Sequence, residues 1–438
     1  MKKTMILKRM IVPMLCALCA TAWAGDGTSQ AMLQTARQAM RAQRPIERVM
    51  ANDQLAVYSQ RGGGFAVLTA AEQSPRVLAY SPTATLRVGS DNPGFGWWLR
   101  SVQRVLQASA LHHAPTTKPD TTRFAPRVDS LITTLWGQRE PFKFMCPFDT
   151  YFPDRSLDGT YQPDSGHFVV GCVATAMAQY MNYYHYPRHG VGQDSVVVKY
   201  SNPAVSVTYR VDFEHTNYDW ANMIDDYQGE YTPQQAEAVA QLCYHCGVAA
   251  HTTYNQYGGG STDVDCLRAM REIFAYNDTA HYIVRSKYSE PDWMEMVYRE
   301  LSDGHPILYS GRDINLEEGI IGAHNFIIDG YDEEGMVHVN WGWYGLENGF
   351  FDIALLDPRQ YSYDDWQAMY VGLYPAEQSI MGDVTGDGVV DIADVNAVIN
   401  AMLGKDTSDE LQTASDVTGD GQVDIADVNA VINLMLGK

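Results

Sequence analysis

Cys172 stands in the run Gly171-Cys172-Val173-Ala174-Thr175-Ala176-Met177-Ala178. A glycine, a thiol and then small or apolar residues read as a helix that begins at the sulfur. The helix dipole at such an N-terminus favours a thiolate, the form that attacks carbonyl carbon. The other reading is a buried cysteine in a structural helix. His324 heads the apolar run Asn325-Phe326-Ile327-Ile328-Asp329-Gly330, and Asn340 closes the next one in Val339-Asn340-Trp341-Gly342-Trp343. Alone, a histidine at a strand start is more often structural. Two adjacent antiparallel strands, however, would set Asn340 beside His324. Thiol, then imidazole, then amide is the chain order of a nucleophile, its base and the group that orients the base.

A second constellation lies in the tail. Residues 383–405 and 416–438 are identical apart from Val389/Gln422 and Ala401/Leu434, at an offset of 33, so the tail is a tandem duplication. In each copy the potential oxygen donors fall at positions 1, 3, 5, 7, 9 and 12 of a loop. They are Asp383, Thr385, Asp387, Val389 through its carbonyl, Asp391 and Asp394, then Asp416, Thr418, Asp420, Gln422 through its carbonyl, Asp424 and Asp427. Gly388 and Gly421 take position 6, where the loop turns sharply. This spacing suits Ca2+, a hard cation wanting six to eight oxygens, at two structural sites. Without the cation these carboxylates repel, so the metal is expected to stabilise the tail. Each loop leads into a helix, expected over 395–403 and 428–436, and no entering helix precedes the first loop.

Charge narrows the partners. The chain of 438 residues carries a formal net charge of -22. Ten Asp and one Glu against two Lys place -9 of it in residues 381–438. Phosphate contacts need clustered cations, so a nucleic-acid partner is excluded, as is electrostatic docking on an anionic membrane. No apolar run of about 18 residues follows the N-terminus, so no membrane span is expected. Lys2, Lys3, Lys8 and Arg9, an apolar stretch over 10–20 and Ala22-Trp23-Ala24 read as a secretory signal peptide, residues 1–24. Five cysteines remain: Cys146, Cys172, Cys243, Cys246 and Cys266. The pair in Cys243-Tyr244-His245-Cys246 reads as buried or disulfide-bonded rather than zinc-binding, because it offers too few ligands.

The elements that must carry these groups follow from periodicity and turn residues. Residues 25–110 combine a helix over 30–44, strands over 55–58 and 65–68 around Gly62-Gly63-Gly64, and an amphipathic helix over 97–110. Residues 111–127, with Pro115, Pro119 and Pro126, read as an exposed linker open to proteolysis. Residues 128–375 carry helices over 172–184, 233–250, 263–275 and 291–303. Strands follow over 306–309, 325–329, 336–341 and 350–353. Helices first and strands later in one block indicate α+β.

Three long segments, 171–187 (GCVATAMAQYMNYYHYP), 324–330 (HNFIIDG) and 338–345 (HVNWGWYG), resemble the streptopain family of cysteine peptidases, which includes interpain-type enzymes. Residues 62–80 resemble that family's inhibitory propeptide. The resemblance implies a papain-like, two-subdomain α+β peptidase over 128–375, secreted as a zymogen behind an α+β propeptide over 25–127. It implies Cys172 as nucleophile, His324 as general base and acid, Asn340 as orienter and Trp341 as shield. Gln138, in Trp136-Gly137-Gln138, takes the place of the family's oxyanion-hole glutamine. Substrates are then proteins or peptides, and the cleft stays blocked until cleavage near Arg127. Asn92, Pro93 and Gly94 are candidates to enter it. The chain departs from the pattern in its extra cysteines and in Asn325, where an alanine is familiar. Residues 381–438 resemble the dockerin type I module, a small all-α domain with calcium loops, which implies a cohesin-like partner. There the departures are Thr at loop position 3 and Ile392-Ala393 and Ile425-Ala426 at positions 10 and 11. Two other readings stay open: a non-catalytic assembly or adhesion protein on the same fold, and an acyltransferase on the same triad.

Overall fold

The computed structural model describes residues 26–70, 75–87, 89, 91–108, 116–148, 166–201, 204–255, 259–315, 320–356, 366–376, 382–385, 390–405, 409–418 and 421–436. The expected signal peptide, residues 1–24, lies outside them. The chain divides between Tyr374 and Pro375 into two compact units.

In the first unit, helix α1 (Asp26–Ala39) leads into a meander of β1 (Ile46–Ala51), β2 (Leu55–Gln60), β3 (Phe65–Thr69) and β4 (Val77–Ser81), then helix α2 (Pro93–Ala108). Gly62, Gly63 and Gly64 all take positive φ in the β2–β3 turn, a region glycine enters without steric cost. Next come α3 (Cys172–Tyr184), the hairpin β5 (Gln193–Ser201) and β6 (Ala204–Asp212), α4 (Pro233–Ala249), α5 (Asp263–Arg268) and β7 (His281–Val284). The unit closes with α6 (Glu290–Ser302), β8 (Ile307–Asn315), β9 (Ile320–Tyr331), β10 (Val337–Asn340), β11 (Gly349–Phe351) and β12 (Trp366–Val371). Local chemistry sets several of these ends. Thr232 and Gln235 form a capping box before α4, with Pro233 opening the helix.

Ten strands form one antiparallel sheet in the order β1-β2-β3-β4-β11-β10-β9-β8-β12-β7. The meander of the N-terminal segment is joined to the rest through β4 and β11, with Phe350 opposite Tyr80 and Phe351 opposite Ala79. One apolar core therefore spans both halves. It packs Leu55, Phe65, Trp97 and Trp98 of the N-terminal segment with Trp293, Phe326, Trp341 and Phe351. A second core lies under α3 and α4, and a third between α1 and the meander. A partly buried ion pair, Arg76 with Asp352, also joins the two halves.

The α+β class agrees with the sequence reading, with differences in detail. The first helix ends at Ala39, where Arg41 takes a positive φ and the chain turns into β1. Strands β1, β4, β5, β6, β7 and β12 were not expected. The expected helix over 263–275 changes form at 269, where Phe274 N–H bonds the Ala269 carbonyl and widens the turn. The described part of the expected linker, 116–127, is not loose. Thr117 N–H donates to Glu290 at 3.0 Å, Arg123 pairs with Glu295 at 2.8 Å, and Ala125 N–H donates to Ser302 at 3.3 Å. Cys146, Cys243, Cys246 and Cys266 are buried and unbridged.

The second unit holds α7 (Ile392–Met402), α8 (Asp409–Ser415) and α9 (Ile425–Met435). Val384, Val395, Val398, Val417, Val428 and Val431, paired by the duplication, make its core. The two repeat helices start earlier than expected, because Asp391 and Asp424 cap them at 391 and 424.

Trp98 is fully buried, with its ring edge-on to Phe351 at 4.9 Å. We expect Trp98→Ala to cost about 3–5 kcal/mol, read as a lower urea midpoint for the first unit. An unchanged midpoint would deny that the two halves share a core.

Candidate active site

Helix α3 starts at the thiol. Gly171 precedes it at φ 91°, and a Cβ there would lie 3.0 Å from the Gly259 carbonyl oxygen, so a side chain is excluded twice over. Thr175 secures the first turn, its N–H and hydroxyl both donating to the Gly171 carbonyl at 3.0 and 2.9 Å. The main-chain N–H groups of Asn325, Val173 and Cys172 itself stand near the sulfur and favour its charged form. The residue after His324 thus adjoins the sulfur, and α3 and β9 bring together groups encoded far apart.

Burial is the strongest influence on this thiol and pushes it up. The three N–H groups pull it down, and the nearby charge of Asp263 pushes it further up. The sequence led us to expect a lowered thiol. The helix N-terminus does act in that direction, but desolvation outweighs it here.

His324 is buried on β9. Its Nε2 donates to the Trp341 carbonyl at 2.8 Å, and its buried Nδ1 has no partner among the described residues. Burial lowers the imidazole to about 4, against a smaller upward pull from the Trp341 carbonyl. At neutral pH the ring is therefore uncharged. Asn340 is also buried, but its amide is occupied elsewhere. Nδ2 donates to the Thr134 carbonyl at 2.8 Å and to Gln179 at 3.4 Å, and Oδ1 accepts Gly342 N–H at 3.0 Å. The expected hydrogen bond from Asn340 to His324 is not formed, nor is one from His324 to Cys172. The Trp341 carbonyl holds the ring instead.

The start of α2 covers this histidine. Asn92 caps the helix, its Oδ1 accepting the N–H groups of Gly94 and Phe95 at 3.1 and 3.2 Å. A Cβ at Gly94 would sit 2.5 Å from His324 Cδ2 and 2.5 Å from Trp341 Cε3, so the helix backbone lies directly on both rings. Of the three residues singled out in the sequence, Gly94 therefore meets the imidazole. Asn92 instead donates to Glu347 at 3.1 Å. Glu347 is fully buried. It also accepts Arg87 N–H at 2.9 Å, and its own N–H donates to the Thr85 carbonyl at 3.0 Å.

Gln138 is tied to the segment that leads into Cys172. Its carbonyl accepts Val170 N–H at 3.1 Å, two residues before Cys172. Its side-chain amide makes no hydrogen bond among the described residues. Tyr344 braces the turn by accepting Arg139 N–H at 2.7 Å, with its ring against Gly137. Trp341 is fully buried, its indole N–H donating to the Glu347 carbonyl at 3.0 Å. Sequence reasoning missed Gln179, Glu347 and Asp263. Gln179 Oε1 accepts from Thr134 at 2.9 Å and so braces Asn340. No spacing signal marks these three, because each acts through a contact made only in the fold.

In the tail, Asp394 accepts the N–H and hydroxyl of Thr385 at 2.9 Å each and Asp391 N–H at 2.8 Å. Asp427 repeats this with Thr418 and Asp424, all at 2.9 Å. Desolvation raises both carboxyls, but these hydrogen bonds prevail and hold them below the usual range. Gly421 N–H donates to Asp416 at 2.8 Å. Asp387, Val389 and Asp420 lie outside the described residues. Among the described residues no three His, Cys, Asp or Glu side chains converge as a metal group. The donors brought into each loop are all oxygens, which fits calcium rather than a softer metal.

Comparison with known proteins places this geometry. The Peptidase C10 family matches residues 136–351, and the Dockerin type I domain matches residues 381–436. Streptopain of Streptococcus pyogenes is 28% identical over 332 residues, covering 73% of this chain and 80% of that protein. A thiol protease/hemagglutinin of Porphyromonas gingivalis is 26% identical over 341 residues, 73% of this chain and 37% of that one. Among solved structures, a fragment of Prevotella intermedia prointerpain A is 36% identical with a TM-score of 0.65, covering 76% of this chain and 99% of that chain. Active interpain A, a cysteine protease of the same organism, is 38% identical with a TM-score of 0.51, covering 59% of this chain and 100% of that one.

The neutral His324 has a pH consequence. Its value is about 4 in the folded chain, against roughly 6.5 for an unperturbed histidine. The unfolded chain takes up this proton first, so the stability held above pH 6.5 is lost as pH falls towards 4. We expect the urea midpoint of a Cys172→Ala chain to fall across this window, and less steeply with His324→Asn added. Equal slopes in the two chains would contradict the neutral imidazole.

Proposed function

We propose, from the premise that this chain is a cysteine peptidase belonging to the Peptidase C10 family, that it is a secreted endopeptidase made as a zymogen, with a calcium-dependent C-terminal docking module. The observation that supports the catalytic assignment is the approach of β9 to the start of α3, which sets Asn325, next to His324, near the Cys172 sulfur, with Gln138 tied to Val170 two residues before it.

In this reading residues 25–127 are the inhibitory propeptide, 128–375 the peptidase domain and 381–438 the dockerin-like module, behind a signal peptide at 1–24. The propeptide holds the off state. With α2 seated on His324, thiol and imidazole are both neutral and not bonded to each other. After cleavage near Arg127 and departure of the propeptide, His324 is free to turn. Its Nδ1 takes the thiol proton, giving a thiolate–imidazolium pair, and the turned ring exchanges the Trp341 carbonyl for Asn340 Oδ1 as the acceptor of Nε2–H. The thiolate attacks a peptide carbonyl. The Gln138 amide and the Cys172 N–H donate to the oxyanion, Trp341 shields the imidazolium, and His324 protonates the leaving amine. Water then hydrolyses the thioester and frees the sulfur.

For the tail we propose two structural calcium ions. Asp383, Thr385, Asp387, Val389, Asp391 and Asp394 would hold one, and Asp416, Thr418, Asp420, Gln422, Asp424 and Asp427 the other. Ile392 and Ile425, each 61% exposed at equivalent repeat positions, offer apolar contacts to a cohesin-like partner.

Two outcomes are expected. Cys172→Ala abolishes peptide hydrolysis and labelling by an irreversible thiol-peptidase inhibitor while leaving the circular dichroism unchanged. Gln138→Ala lowers kcat by about 10²–10³, the usual cost of one oxyanion donor. Near-native turnover by the Cys172→Ala protein would end the assignment. Separately, calcium chelation should lower the melting temperature of the tail and leave that of the first unit in place. A tail indifferent to chelation would remove the calcium role.

A further inference from the structure

Asp263 opens α5 next to the nucleophile and has no part in the steps above. One of its oxygens, Oδ1, is fixed by three neutral donors: Ser310 Oγ at 2.8 Å, Tyr370 Oη at 3.0 Å and Asn325 Nδ2 at 3.5 Å. These come from β8, β12 and β9, so the carboxylate is anchored to three strands and its rotamer is set. Ser310 and Tyr370 are buried beneath it, while Asp263 itself and Asn325 stay partly exposed and Val264 beside them is 61% exposed. Asn325 joins this group to the site directly, because it follows His324 on β9 and its main-chain N–H stands near the Cys172 sulfur.

The charge is not neutralised. Among the described residues Asp263 has no ion-pair partner, and its second oxygen, Oδ2, accepts no hydrogen bond. A half-satisfied carboxylate at the edge of a core gains most from a cationic donor, whose hydrogen bonds are roughly twice as strong as neutral ones. The 3.5 Å contact from Asn325 is the weakest of the three and the easiest to exchange. Asn325 follows His324 on β9, so the Asp263 carboxylate stands one side chain away from that histidine's strand. The net charge of -22 favours approach of cationic peptides.

We propose that Asp263 is a specificity-determining residue, its carboxylate receiving a lysine or arginine side chain of the substrate next to the scissile bond. This rests on the peptidase reading of the same site and adds the substrate class.

The test uses the full chain after propeptide removal, with active sites counted by titration with an irreversible thiol-peptidase inhibitor. A positional-scanning peptide library compares Lys and Arg with norleucine at each position around the cut. The expected result is a cationic preference at one position. In Asp263→Asn the Lys/norleucine ratio of kcat/KM there falls about tenfold, or about 1.4 kcal/mol, and Asp263→Glu restores part of it. Counting titrated sites separates this from misfolding. The proposal fails if the ratio is the same in both proteins. It also fails if Asp263→Asn lowers every substrate alike and shifts the pH profile, since that marks an electrostatic effect on the catalytic pair. Absence of titratable sites in the unaltered enzyme would instead overturn the peptidase reading, and this proposal with it.

Discussion

The approach of β9 to the first residue of α3, which sets the Asn325 N–H near the Cys172 sulfur, is the constraint on which the site depends. It fixes where α3 begins against β9. Gly171 permits the approach because no side chain fits between it and Gly259. The Val170–Gln138 bond ties Gln138 to the segment before Cys172, and the β9–β10 pairing, with Asn340 opposite Ile327, brings Asn340 and Trp341 to the same end of the sheet. A shift of β9 by one residue would turn His324 to the opposite face.

Around that approach of β9 to α3 the N-terminal segment imposes an electrostatic constraint as well as a steric one. Burying a thiol and an imidazole together disfavours the charge on each, so desolvation acts against the ion pair from both sides. The backbone of α2 lies on the imidazole with no side chain between them, and the ring donates to the Trp341 carbonyl. Removing the cover restores solvent and rotational freedom to the ring in one event. Glu347 contributes to the same closure, taking donors from Arg87 and Asn92 where the two halves meet.

Much of this was legible in the sequence, and the limits have physical reasons. The helix at Cys172 could be bounded to the residue, because a glycine and a run of small residues mark its start. The β2–β3 hairpin was visible in its three glycines. The fusion of two sheets was not, since β4 and β11 pair across some 270 residues and neither carries a register signal of its own. β1 was hidden by the polar character of Ile46-Glu47-Arg48. The histidine stood out in the sequence, but its bond to Trp341 rather than Asn340 depends on packing that no spacing encodes. Asp263 was equally invisible, because its meaning comes from Ser310, Asn325 and Tyr370, brought in by three strands.

The shared sheet has a consequence for the proposed processing. β11 is three residues long, and on one flank its partner is β4, a strand of the N-terminal segment. Were that segment to leave, Phe350 would lose the Tyr80 ring stacked on it at 5.1 Å, and the backbone of Phe350 and Phe351 would be bared. The shortened chain would then carry a raw margin with aromatic lining, the kind of seam along which chains zip to one another. Its brevity is the safeguard, since so few exposed amides make a poor template for stacking.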